Sequence, residues 1–148
     1  MLVEINKTYK FQIENYSFGN LTLKELNKLF QDGRYASPFL EIQITKWFDE
    51  LTHVTGNKDH DHVGKNGKLY DAKNFTKNGL KFQPSNMLGQ GRTFVAEVAH
   101  KKANKLIYIC CDIVDFPNIR VRFVEGAELV KRYPKCQISS ANREAFYE

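Results

Sequence analysis

The sequence predicts a single α/β domain, a central mixed β-sheet flanked by helices. Two observations carry this. Helix-like and strand-like segments alternate along the chain, which suits one layered core. The run at 106–113, "LIYICCDI", is apolar almost throughout, as expected of a strand buried on both faces. The 148 residues suit one domain over 1–148, and 42% hydrophobic with 26% charged content supports a packed core.

In chain order, residues 8–14 alternate Tyr9, Phe11 and Ile13 and read as a strand. Thr22 and Glu25 form a capping box that opens a short helix bearing Leu23, Leu26, Leu29 and Phe30. Gly33 is expected to close it in the C′ manner. Ser37 as cap and Pro38 at N1 then predict a second helix. Its buried stripe is Leu40, Ile44, Trp47, Phe48 and Leu51. A hairpin follows around Asn66-Gly67. Residues 80–92 read as a polar loop with glycines, and 93–102 as a helix capped by Thr93. Residues 118–126 alternate Ile119, Val121 and Phe123 inward against Arg120 and Arg122, a half-exposed strand. Residues 127–133 give a last helical turn or two. The tail to Glu148 is expected on the surface or loose.

No apolar run is long enough to span a bilayer, and the first ten residues lack the apolar region of a signal peptide. A cytoplasmic setting is therefore expected. Cys110 and Cys111 lie inside the apolar run, which predicts buried thiols, and with Cys136 they lack zinc-ligand spacing. The net charge is +5, unevenly spread. Residues 65–105 carry nine lysines and arginines against Asp71 and Glu97, a net +7. A basic middle on a near-neutral frame suits a polyanionic partner.

The densest chemistry lies in "DHDHVGKNGKLYDAK" at 59–73. If Lys65-Asn66-Gly67 is a three-residue turn with Gly67 in the left-handed region, residue 64 pairs with 68 and residue 61 with 71. Asp61, Asp71 and Lys73 then project from one face. Directly opposed residues have Cβ atoms about 4.5–5.5 Å apart. Two carboxylates that close repel unless a cation lies between them, and Mg²⁺ accepts one or two carboxylates while keeping several waters. A two-residue Asn-Gly turn would instead set residue 61 against 72 and disperse the group.

The pattern Asp61…Asp71-Ala72-Lys73 resembles the signature of the PD-(D/E)XK nuclease superfamily. The resemblance extends over about 37–125. That family places a helix bearing a glutamate before the hairpin, and Glu41 fits. It follows the D-x-K strand with a polar loop, a helix and further core strands. The ten-residue interval from Asp61 to Asp71, with a glycine-containing turn, is similar to that of small homodimeric type II restriction endonucleases. No proline precedes Asp61, a departure from the pattern. The resemblance implies a restriction-endonuclease-like fold and hydrolysis of DNA phosphodiester bonds. Asp61, Asp71 and the Ala72 carbonyl would hold Mg²⁺, Lys73 would orient the attacking water, and Glu41 would serve a second ion or its water.

Two other readings stand beside it. "DHDH" resembles the His-Me-finger (HNH) nucleases, with His60 or His62 as base and Asn74 or Asn78 nearby, although that unit needs a helix soon after the hairpin. On the first reading both histidines face away from Asp61, to touch a phosphate or lie at the surface. The other alternative is a non-catalytic nucleic-acid-binding module. For DNA reading, Gln83, Ser85, Asn86, Gln90 and Arg92 are side-chain types suited to base edges. Lys77, Lys81, Lys101 and Lys102 suit phosphates. Cutting both strands of a palindromic duplex would take a homodimer, with residues 8–36 or the tail at its interface. A homing or phage endonuclease would read the same way.

Overall fold

The computed structural model describes residues 1–56 and 59–148. Its main sheet joins β1 (Thr8–Gln12), β2 (Leu51–His53), β3 (His62–Gly64), β4 (Leu69–Phe75), β6 (Ile107–Asp112) and β7 (Asn118–Glu125) in the order β1-β7-β6-β4-β3-β2. β4 and β6 run parallel, and every other adjacent pair is antiparallel. A parallel pair needs a crossover, and here it carries α3 (Ala96–Ala103). A second, two-stranded sheet pairs β5 (Leu80–Lys81) with β8 (Gln137–Ile138).

The sheet separates two cores. On one face, α2 (Gly33–Trp47) lays Ala36, Leu40 and Ile44 against Tyr70, Ile109, Cys111, Val121 and Phe123. On the other, α3, α4 (Gly126–Arg132) and α5 (Arg143–Tyr147) cover Phe75, Tyr108, Cys110 and Val124. All six residues of β6 are buried, as its unbroken apolar run predicts. The three thiols are buried and free, and burial pushes Cys111 up to about 12 and Cys136 up to about 11. Among the described residues no helix is long and apolar enough to cross a membrane.

The capping box on α1 (Leu23–Leu29) forms as expected, with Thr22 Oγ accepting from Glu25 N at 3.1 Å and Glu25 Oε1 from Thr22 N at 2.9 Å. Leu23, however, is exposed. Gly33 does not close α1 but opens α2. Asp32 is the cap, accepting from Arg34 N at 2.9 Å. Asp32 and Ser37 are both cap residues, and the earlier start lets Ala36 enter the core. Ser37 and Pro38 therefore lie inside the helix, where the Ser37 hydroxyl accepts from Asn74 Nδ2 at 2.6 Å. The helix ends at Trp47, and Leu51 belongs to β2, an edge strand too short to show an alternation. α3 starts at Ala96 rather than beside Thr93, and its cap position, Val95, makes no side-chain capping bond.

Two segments are better ordered than their composition suggests. In the 80–92 segment Leu80, Phe82 and Met87 are buried, and Phe82 N donates to the Cys136 carbonyl at 2.9 Å. The tail is not loose. Cys136, Ile138, Phe146 and Tyr147 enter the core, and the Tyr147 hydroxyl donates to the Cys110 carbonyl at 3.0 Å. Arg143 and Arg120 both reach the carboxylate of Asp112, which is 2% exposed, at 3.0 and 2.8 Å. The anchoring groups are few and dispersed among polar residues, so no periodicity announced them.

Removing one member of a buried ion pair leaves its partners uncompensated. Asp112→Ala should lower the unfolding free energy by about 3 kcal/mol in urea denaturation, because two arginines lose the carboxylate that fixes the tail to the sheet.

Candidate active site

The β3–β4 turn is the three-residue form. Gly64 N donates to the Lys68 carbonyl and Gly67 N to the Gly64 carbonyl, each at 2.9 Å. Gly67 has φ +79°, a left-handed conformation that a side chain would strain. Asn66 Oδ1 accepts from Lys68 N at 3.0 Å and lies where a Cβ on Gly64 would come within 2.8 Å of it. His62 pairs with Tyr70 and Val63 with Leu69. Asp61 N still donates to the Tyr70 carbonyl at 2.8 Å. Asp61 lies just before β3, outside the paired residues, and its carboxyl meets the Asp71 side chain.

The two carboxylates and Lys73 come together, although Asp61 is not itself paired with Asp71 in the sheet. Asp61 Oδ2 accepts from Ala72 N at 2.9 Å. Lys73 Nζ lies 3.3 Å from Asp71 Oδ2. Asp71 is 9% exposed. Its carboxyl is pushed up to about 6, first by burial and further by the Asp61 carboxylate, while Lys73 pulls it down. Asp71 and Lys73 sit beside Tyr108 and Cys110 of β6, on the sheet face that α3 covers. The N–H and C=O of one strand residue point to the same edge. Ala72 turns its N–H to Asp61, so its carbonyl faces that edge as well, beyond the start of β3.

The donor set is therefore two carboxylates and a backbone carbonyl. Among the described residues, no cluster of three or more His, Cys, Asp or Glu side chains has metal-binding geometry. An all-oxygen set with few side chains fits Mg²⁺, which keeps most of its waters, better than it fits Zn²⁺.

Glu41 is placed elsewhere. It lies on α2, across the sheet from Asp71 and Lys73, with its carboxylate 3.4 Å from His53 Nε2. None of its hydrogen bonds or ion pairs among the described residues reaches Asp61, Asp71 or Lys73. His62 faces away from Asp61, as the alternation predicts, but it is neither at the surface nor able to touch a phosphate. It is fully buried, with Nε2 2.7 Å from the Glu41 carbonyl, and burial holds its imidazole below the usual histidine range. A histidine can enter a core wherever a carbonyl is ready to receive it, and nothing in the local sequence marks that carbonyl. His60 is half-buried. Asn74 is engaged with Ser37, and β4 leads into β5, not into the helix that a histidine-based unit needs.

Of the side chains suited to DNA, Lys77, Lys81, Ser85, Asn86, Gln90, Arg92 and Lys101 are exposed and Lys102 is half-exposed. Arg92 donates to the Asn86 carbonyl at 3.2 Å, which closes this loop on itself. Gln83 is the exception. It is 6% exposed, and its amide donates to the Lys135 carbonyl at 3.0 Å, so it ties the loop to the tail and faces no partner.

The raised Asp71 carboxyl has a consequence for stability. The folded state favours the neutral acid, so the charged form costs stability above about pH 6, and this cost disappears as the pH falls below the unfolded carboxylate value near 4. In metal-free buffer at pH 7.5, Asp71→Asn should therefore be more stable than the native chain by on the order of 2 kcal/mol. Thermal unfolding should show this advantage vanishing by about pH 3.5.

No family model, curated protein or solved structure matches the chain, so the reading of this site rests on its geometry.

Proposed function

We propose that the chain is a Mg²⁺-dependent endodeoxyribonuclease of the PD-(D/E)XK type, acting on double-stranded DNA as a sequence-specific type II restriction endonuclease. The observation that carries this reading is the meeting of the Asp61 and Asp71 carboxyls with Lys73 3.3 Å from Asp71. The topology supports it. A helix (α2), a three-stranded meander (β2, β3, β4), a second helix (α3) and a strand parallel to β4 follow one another. That order supports the reading, since the restriction-endonuclease-like fold also runs through a helix, a hairpin, a helix and core strands. The burial of His62 counts against that residue as the base of a histidine-based mechanism.

Asp61, Asp71 and the Ala72 carbonyl would hold the ion. A bound Mg²⁺ would supply Lewis-acid polarisation of the scissile phosphate and a more acidic water. Asp71 would offer its charge there, which would leave Lys73 free of their pairing. The Lys73 ammonium holds the attacking water in line and balances the negative charge that builds on the phosphorus oxygens. The Asp61 carboxylate, fixed by the Ala72 N–H, keeps one oxygen for binding. The exposed Lys77, Lys81 and Lys101 and the half-exposed Lys102 meet phosphates, and Ser85, Asn86, Gln90 and Arg92 meet base edges. One such site cuts one strand, so cutting both strands calls for a two-fold homodimer.

Supercoiled plasmid tests the proposal. With Mg²⁺ the native chain should yield nicked and linear DNA whose sequenced ends fall at defined sites, and EDTA should stop it. Lys73→Ala should lower the cleavage rate by about 10²–10³-fold and leave metal-free DNA binding intact. Salt-sensitive binding with no metal-dependent cleavage of DNA or RNA would leave a non-catalytic nucleic-acid-binding protein.

A further inference from the structure

His62 is fully buried, and among the described residues only one of its ring nitrogens has a partner. Nε2 lies 2.7 Å from the Glu41 carbonyl, and Nδ1 is a buried polar atom with none among them. A carbonyl oxygen only accepts, so the proton sits on Nε2 and the orphan Nδ1 carries a lone pair. Leaving a buried acceptor unpaired is unfavourable, because the group loses its water and gains no partner. A leucine would fill the same space without that penalty. The imidazole therefore does something that apolar packing would not.

We propose that His62 is a positioning residue for Asp61: its Nε2–H, donated to the Glu41 carbonyl of α2, anchors the entry to β3 and sets the Asp61 carboxylate for cation binding. The proposal rests on the reading of Asp61 and Asp71 as a cation site. β2 and β3 are three residues each, at the outer side of the sheet. Asp61 is the last rung of this ladder, with its N–H on Tyr70 and its carbonyl accepting from Val54 N at 2.8 Å. Such an end frays readily. The next residue, His62, reaches through the sheet face into the side of α2. Its bond uses the second lone pair of a helix carbonyl. His53, in register with His62 on β2, holds the Glu41 carboxylate at 3.4 Å, so two neighbouring strands grip one residue of α2 by its main chain and its side chain. On this account Glu41 supports the site from behind through its carbonyl.

The test uses three variants of the full chain. The amide nitrogen of glutamine reaches where Nε2 lies, that of asparagine stops near Nδ1, and leucine keeps the bulk alone. The probe is Mg²⁺ alone, titrated by calorimetry and by the rise in thermal unfolding temperature. His62→Gln should bind Mg²⁺ within about twofold of the native chain, and His62→Asn and His62→Leu about 10-fold more weakly, the scale of lost outer-shell support. Leucine binding as tightly as histidine, or glutamine as weakly as leucine, would overturn the proposal. Should the leucine variant not fold, nitrogen NMR of the native chain decides: an Nε2-protonated, slowly exchanging His62 supports the proposal, and an Nδ1-protonated one refutes it. A native chain that binds no Mg²⁺ defeats the cation-site reading itself, whereas native binding unchanged in the leucine variant defeats only the role of His62.

Discussion

Two carboxylates brought together, one just before β3 and one on β4, set the terms for the rest of this structure. The turn between them has three residues, with Gly67 in a left-handed conformation, and it sets the pairing of β3 with β4 that leads up to Asp61. With the turn one residue shorter, Asp61 would face α2 and the pair would not exist. Their opposition is unfavourable by itself, since it combines burial with like charge. The surrounding fold has to impose it. β4 does so by lying between two cores and pairing with β6 along six residues. On the α2 side the support is largely aromatic: Trp47 stacks on Phe11 at 3.9 Å, and Phe48 meets Tyr9 and Phe123 edge-on at 4.9 Å. Rigid packing of this kind makes a strained polar pair affordable at the edge of the core.

Two buried aspartates in the same sheet show what distinguishes a candidate site from a structural one. Asp112 is enclosed by Arg120 and Arg143 and also accepts from Val114 N. Its charge is matched, and it fixes the tail. Among the described residues, Asp71 has a single lysine at 3.3 Å and a second carboxylate beside it. Its carboxyl is therefore pushed up to about 6, and a cation would relieve it. Buried charge left short of compensation is a mark of functional sites.

The sequence made much of this legible, for identifiable reasons. β6 and β7 follow from apolar runs and alternation, α2 from its stripe, and the hairpin from Asn66-Gly67. The face shared by Asp71 and Lys73 follows from strand alternation alone. The register of Asp61 did not, because the same Asn-Gly permits a two-residue or a three-residue turn. The start of α2 was ambiguous because Asp32 and Ser37 both cap helices. Gln83, His62 and the tail were misplaced for a common reason. Each is polar or surrounded by polar residues, and each is buried by partners distant in sequence: Lys135, the Glu41 carbonyl, and the far face of the sheet. Local pattern carries no information about such partners.

The most direct test of the central claim is the titration of the Asp71 carboxyl by carbon NMR, with and without Mg²⁺. Without the ion, Asp71 should titrate well above the usual carboxylate range, near 6. With Mg²⁺ its titration should fall below its metal-free value, because the cation stabilises the charged form. An Asp71 that titrates as an ordinary surface carboxylate and does not respond to Mg²⁺ would contradict a paired carboxylate site that takes a cation.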